Sequence, residues 1–326
     1  MLATRLKTAL VLGATLAALL PGLSAAESLK VRYSWKLKGE YAQFYMAKEI
    51  GAYAKRGLEV SLGEGAGAQA ALGAVLQGQE DAAVVPAAFA LTAISKGMPV
   101  KIVALYHPRA PIGILSHASN PVATPKDLEG KKIAVSVGDT VASYLGVVCK
   151  MNQVDCDEID RVMMDSQVRS SQFLANRVDA LTTYLNVDSP LLASVSKEPL
   201  VTLDFSKFGL VLPGMSVVVK DDAVTKKAKP LSDFLAALDE GVTAARKDPG
   251  AAAEAIRKAW SGSPKPEVVK AQVVATLEAI PQRGDRPAGY IDPKDLSTAI
   301  DMLKSVGELQ GDKPVDAFYS NALFTE

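Results

Sequence analysis

The residues best placed to do chemistry follow short apolar runs in the first two thirds of the chain. Trp35 stands in a polar loop with Lys36 and Lys38, just ahead of Tyr41. An indole there can stack on a flat ligand, and the lysines can neutralise an acid group. The alternative is a tryptophan packed at a domain edge among solvated lysines. A second loop, Gly63-Glu64-Gly65-Ala66-Gly67, follows the next apolar run. Gly65 and Gly67 let a backbone approach closely, and the N–H groups of Gly67, Ala68 and Gln69 would point out of a helix start as a cradle for an anion or polar ligand. The same residues fit the dinucleotide fingerprint loosely, as Gly65-x-Gly67-x-x-Ala70. That fingerprint wants an acid about 20 positions on, at the end of the next strand. Here Asp81 precedes that strand, and Val84-Val85-Pro86 offers a ribose nothing. A glycine loop needed only for a tight turn is the third reading.

Gly138-Asp139-Thr140-x-x-Ser143 repeats the strand, glycine, helix-start arrangement further on. Asp139 and Thr140 are candidates for ligand contact or for capping the helix. Phe89, His107, Tyr184, Asn186 and Asp188 each follow a strand end and are further candidates, with His107 equally readable as a polar hinge residue. No Gly-x-Ser-x-Gly, His-Glu-x-x-His, Walker loop or paired-carboxylate spacing occurs. No catalytic residue and no cofactor are therefore assigned. The chain has 2 histidines and no Cys-x-x-Cys, which argues against a metal site.

These loops need strands and helices to hold them. A strand over Lys30–Ser34, a helix over Tyr41–Arg56 stopped by Gly57, and a strand over Leu58–Leu62 frame the first two. Ala42, Met46, Ile50 and Tyr53 mark the buried face of that helix. A helix over Ala68–Gln77, a strand over Ala82–Val85, a helix to Lys96 and a strand over Val100–Tyr106 continue the alternation, which indicates a mostly parallel sheet. Pro108, Pro111 and Pro121 then surround the strand Ile112–Ser116, a first crossing between two lobes. A second unit follows, with strands over Lys132–Val137, Arg161–Met164 and Val178–Thr183 and one helix from Gly138 to Met151. Pro213-Gly214 and the strand Met215–Lys220 form the return crossing. The remainder is helical, with starts near Leu231, Ala251, Glu267 and Pro293, and is expected to pack on the first lobe.

At 326 residues with 48% hydrophobic content the chain can bury one large or two medium cores. The formal net charge of 0 gives no reason to expect nucleic acid or an anionic membrane. Residues 1–26 read as a cleaved export signal: Arg5 and Lys7, an apolar run from Thr8 to Leu20, a break at Pro21-Gly22, and small residues up to Ala26. Periplasmic localisation follows. Cys149 and Cys156, the only cysteines, are in that compartment either a disulfide or two buried thiols.

The ordered stretches YAQFYMAKEIGAYAKRGLEVSL, GEGAGAQAALGAVLQGQEDAAVV, ISKGMPVKIVALY, PKDLEGKKIAVSVGDT and FLANRVDAL cover most of Tyr41–Leu181. Together they resemble the solute-binding proteins of bacterial ABC importers for nitrate, aliphatic sulfonates, taurine and thiamine-precursor pyrimidines. The resemblance implies an α/β, two-lobed periplasmic-binding-protein fold (type II) with two crossing strands and a helical C-terminal tail on lobe 1. Residues 27–113 plus 214–326 would form lobe 1 and 114–213 lobe 2. It implies a monomer that clamps a small solute, does not convert it, and delivers it to ABC permease subunits in the membrane. In the pyrimidine branch the first loop carries Trp, then Asn, His and Gly. Trp35 and Tyr45 match, whereas Lys38, Tyr41 and Gln43 replace the other three. In the sulfonate and nitrate branches polar and backbone donors hold the anion, and Gly65–Gln69 and Asp139–Ser143 match by position. The family also resembles a pyrimidine-synthesising enzyme with a cysteine-rich motif that this chain lacks. A ligand sensor without a transport role is the remaining alternative.

Overall fold

The computed structural model describes residues 26–324, the side chains of Ser166 and Gln167 excepted. The export signal read at residues 1–26 lies outside the described residues save for Ala26. The first half of the chain begins with β1 (Glu27–Tyr33), α1 (Ala42–Glu49), β2 (Leu58–Gly63), α2 (Ala68–Leu76), β3 (Ala82–Pro86), α3 (Ala87–Ser95) and β4 (Val100–Leu105). It then enters β5 (Ile112–His117), β6 (Lys132–Val135), α4 (Thr140–Ser143), α5 (Leu145–Met151), β7 (Asp160–Met163), α6 (Ser166–Leu174), β8 (Ala180–Tyr184), α7 (Asp188–Ala193) and β9 (Leu200–Asp204). Last come β10 (Met215–Lys220), α8 (Ala223–Lys226), α9 (Ala228–Lys247), α10 (Pro249–Arg257), α11 (Pro266–Glu278) and α12 (Pro293–Ser305).

The strands form two five-stranded sheets, ordered β2-β1-β3-β10-β4 and β7-β6-β8-β5-β9. In each, three strands run parallel and the fourth in order is antiparallel: β10 in the first sheet, β5 in the second. That strand is the one the chain lays down just after crossing between lobes. The crossings themselves, His107–Pro111 and Leu212–Gly214, pair with each other. Gly214 N–H donates to the His107 carbonyl at 2.7 Å and Ala110 N–H to that of Leu212 at 2.6 Å.

The tail helices cover the first sheet because their apolar residues recur at helical spacing. Leu231, Phe234, Leu235, Leu238 and Val242 of α9 are all buried, each stabilising the fold by roughly 2 kcal/mol. Helix α9 lies so close to α1 that a Cβ on Gly241 would come within 2.5 Å of the Gln43 carbonyl.

Several expectations need correction. The helix expected over Tyr41–Arg56 ends at Glu49, because Gly51 adopts the left-handed region (φ 70°) and releases the chain into a 3-10 turn that stops at Gly57. The helix expected from Gly138 to Met151 is two, broken at Tyr144. The strand β9 went unread, although it occupies in the second sheet the place β4 holds in the first. Helix α11 does more than cover lobe 1, since it also packs on α7 of lobe 2. Cys149 and Cys156 form a disulfide with Cα atoms 5.7 Å apart, which joins the end of α5 to the next turn and contributes about 2 kcal/mol. Among the described residues no helix is long and apolar enough to cross a membrane.

Candidate functional site

Ligands of open α/β sheets bind beyond the carboxyl ends of the strands, where the strand order reverses. In the first sheet that point lies between β1 and β3, and in the second between β6 and β8. The loops there carry Ser34–Lys38 and Tyr184–Asp188, and they meet in a polar seam.

On the first wall, the loop after β1 is zipped to the glycine loop. Gly65 N–H donates to the Trp35 carbonyl at 3.1 Å and Gly67 N–H to that of Ser34 at 2.8 Å. A Cβ on Gly65 would sit 1.9 Å from the Tyr33 carbonyl, so glycine is required there for close backbone approach. Trp35 is half-buried and Tyr41 is buried with its ring stacked on Tyr33 at 4.1 Å. Burial, and then the neighbouring Glu40, push the Tyr41 hydroxyl well above its ordinary range. Phe89 is half-buried on α3, packed against the core. The first amides of α3 are spent on the crossing: Ala87 N–H donates to Gly214 at 2.6 Å and Ala88 N–H to Pro213 at 3.1 Å.

On the second wall, Asp139 is a helix cap and an ion-pair partner at once. Its Oδ1 accepts from the amides of Val141 (2.9 Å) and Ala142 (3.2 Å). Its Oδ2 accepts from Arg169 at 2.6 Å and from the Thr182 hydroxyl. Thr140 interacts with the hydroxyl of Tyr184, whose pKa burial and then Glu40 push up. Asp188 receives the Thr183 hydroxyl (3.0 Å) and the Tyr184 amide (3.1 Å).

Five direct contacts span the walls or tie α11 to them. Lys38 Nζ donates to Asp188 Oδ1 at 2.8 Å, with side-chain exposures of 24% and 14%. Gln272 of α11 accepts from the Gly39 amide at 3.0 Å and donates to the Val187 carbonyl at 2.7 Å. Asn186 Nδ2 donates to Thr276 Oγ1 at 2.9 Å, while its buried Oδ1 has no partner among the described residues. His107 Nε2 lies 3.3 Å from the Thr276 carbonyl, and burial lowers its pKa to about 4. Burial pushes the Asp188 carboxyl up, but the Lys38 ammonium and then Arg169 outweigh it and hold it below the ordinary value.

The structure thus brings Trp35, Lys38 and Tyr41 towards Tyr184, Asn186 and Asp188. His107 lies at the hinge. The Gly65 and Gly67 amides face the chain's own carbonyls, which corrects the expectation that Gly67 N–H points outward. Ala68 opens α2, which no side chain caps among the described residues. Gln272, Thr276, Arg169 and Glu40 escaped the sequence reading. Two polar residues four apart on the buried, valine-rich face of α11 are the signal that would have found the first pair. Among the described residues no group of three His, Cys, Asp or Glu could hold a metal ion. Two concavities lie away from the seam: one of about 410 Å³ beside Arg246, Arg283 and Arg286, and one of about 230 Å³ beside Lys96 and Glu308.

A family model described as NMT1/THI5 like matches residues 38–252. No curated protein matches the chain in sequence. Among solved structures, the periplasmic aliphatic sulphonate binding protein SsuA from Escherichia coli is 18% identical over 92% of this chain and 94% of its own, with a TM-score of 0.69. The periplasmic nitrate-binding protein NrtA from Synechocystis is 14% identical over 91% and 87%, TM-score 0.66. The desulfurization enzyme DSZB is 13% identical over 91% and 97%, TM-score 0.61. At such identities the likeness fixes the two-lobed α/β fold and leaves the chemistry to the site.

Proposed function

The chain belongs to the NMT1/THI5-like family, and from that premise we propose that it is the extracytoplasmic solute-binding component of an ABC importer. It clamps one small solute between two lobes and hands it, unconverted, to permease subunits in the membrane. The observation that carries this reading is the seam: two sheets of equal strand order meet through the loops at their strand ends, with Lys38 reaching across to Asp188. We take residues 27–113 plus 214–326 as one lobe and 114–213 as the other, in a monomer exported to the periplasm by the residue 1–26 signal. Trp35, Phe89 and Tyr184 supply flat apolar surface to the solute, and Lys38, Tyr41, Thr140 and Asn186 supply polar contacts. Asp139, Gly65 and Gly67 support the walls, with Ala68 at the open start of α2.

Screening the mature protein by thermal shift tests the proposal. The panel holds sulfonates, nitrate, aromatic carboxylates, pyrimidines and amines, and a bound solute raises the melting temperature by mass action. Trp35→Ala is expected to weaken binding of a flat solute about tenfold, the loss of one stacking partner of roughly 1 kcal/mol or more. Mass spectrometry of the recovered solute should show it intact. Turnover would replace this reading with an enzyme, for which DSZB shows that the fold suffices.

A further inference from the structure

The charges of the seam do not cancel. Lys38 is paired with Asp188 and Arg169 with Asp139. Glu40, between Lys38 and Tyr41 on the 3-10 turn that abuts α11, forms no salt bridge among the described residues. Its neighbours are Lys38 and Asp188, already paired with each other, the hydroxyl of Tyr41, which donates to it, and the hydroxyl of Tyr184. Counting Lys36, Lys38 and Arg169 against Glu40, Glu64, Asp139 and Asp188, the seam carries one negative charge in excess.

Many of the donors that would hold an anion are consumed by the chain itself, those opening α2 excepted. The amides of Gly65, Gly67, Ala87 and Ala88 donate to its own carbonyls. Those at the start of α4 donate to Asp139, a carboxylate already seated where an anionic ligand would sit. A second anion in the seam would meet Glu40, Glu64, Asp139 and Asp188 with three cations, Lys36, Lys38 and Arg169, each already engaged.

We propose that the solute is a small organic cation, with a positively charged nitrogen paired to the Glu40 carboxylate and flanked by the rings of Tyr41 and Tyr184. This rests on the reading that the seam is the solute site. A half-buried carboxylate that accepts from the Tyr41 hydroxyl but has no ion pair of its own is costly, and a ligand ammonium, amidinium or protonated ring nitrogen offsets that cost. Aromatic rings beside it add attraction for the same charge. Burial already raises the Glu40 carboxyl above its ordinary range, only partly countered by Lys38 and Tyr41. Pairing with a cation requires the ionised form. Affinity therefore rises with pH as Glu40 loses its proton, and falls on acidification. Lys38, Asp188, Tyr41 and Tyr184 are the titratable groups facing it.

The test is a charge-matched series on the mature protein by calorimetry: benzamidine, benzylamine and 4-aminopyridine as cations, benzenesulfonate and benzoate as anions, benzyl alcohol as neutral control. Saturable binding of at least one cation is expected, tenfold or more tighter than any anion or the alcohol. Glu40→Gln should weaken it tenfold or more and flatten its pH profile, with the ligand-free melting temperature unchanged or raised. Failure of every cation to bind, or cation binding unmoved by Glu40→Gln, overturns the proposal. An anion that binds and is lost with Lys38→Met or Tyr184→Ala would keep the seam as the site and reject only the cation. A ligand insensitive to all three substitutions would reject the seam as well.

Discussion

In the first lobe the loop after the leading strand is held mainly by main-chain atoms, with Glu64 adding a side-chain tie to the Leu37 amide at 2.7 Å and to Lys36, whereas in the second the hub is a side chain. Ser34 and Trp35 offer carbonyls to the glycine-loop amides, and the demands on the sequence are that position 65 carry no Cβ and that position 67 adopt a φ of 124°. In the second lobe one carboxylate, Asp139, caps α4 and gathers Arg169 and Thr182. The two sheets have the same order, so the difference is not architectural. Main-chain ties spread a wall's stability over many small bonds, whereas a side-chain hub concentrates it in one residue.

Asp139→Ala is expected to have the largest effect. It strands Arg169 and two helix amides, and should cost about 3–5 kcal/mol in urea unfolding. A cost below about 1 kcal/mol would show that the second wall is as distributed as the first. Next comes His107, at the crossing the lobes share. Its folded pKa of about 4 lies below the ordinary value of 6.5, so the unfolded state takes up the proton first. Stability is then full above about pH 6.5 and declines as pH falls towards 4, by roughly 3 kcal/mol. His107→Gln should remove that part of the acid slope, and a slope unchanged by the substitution would place the loss elsewhere. Gly65→Ala, the first-lobe counterpart of the Asp139 change, should cost about 1–3 kcal/mol by forcing the two loops apart. Lys38→Met should alter global stability by less than about 1 kcal/mol, since the pair it breaks is partly solvated. Its effect should appear instead as a larger radius of gyration of the ligand-free protein in X-ray scattering. An unchanged radius would mean that Gln272 and Asn186 suffice to hold the lobes together.

The same contrast explains what could be read from sequence. Side-chain features announce themselves: the apolar runs at Val100–Leu105 and Ile112–His117, the αL stop at Gly57, the proline at the head of α12 and the cysteine pair all appear where their residues indicated. Main-chain partnerships do not. Glycines at 65 and 67 are compatible with a ligand cradle and with a self-zipped loop, and only the position of the Tyr33 and Ser34 carbonyls separates them. The pattern predicts a longer α1 because Gly51 reads as a tolerated glycine until its φ of 70° is known. Leu200–Asp204 went unread because five residues with one fully buried side chain carry little periodicity. Within the seam, Trp35, Lys38, Tyr184 and Asn186 were reachable because each follows a strand. Gln272 and Thr276 were not, because they arrive from a helix some 85 residues later in the chain than the wall they meet.

The most direct test is a crystal structure of the mature protein with a solute that binds in calorimetry. The solute should lie between the loop of Trp35 and that of Tyr184, within hydrogen-bond reach of Glu40, and chemically unchanged. A solute seated instead in the groove beside Arg246 and Arg283, with the Lys38 and Asp188 seam empty, would contradict the account.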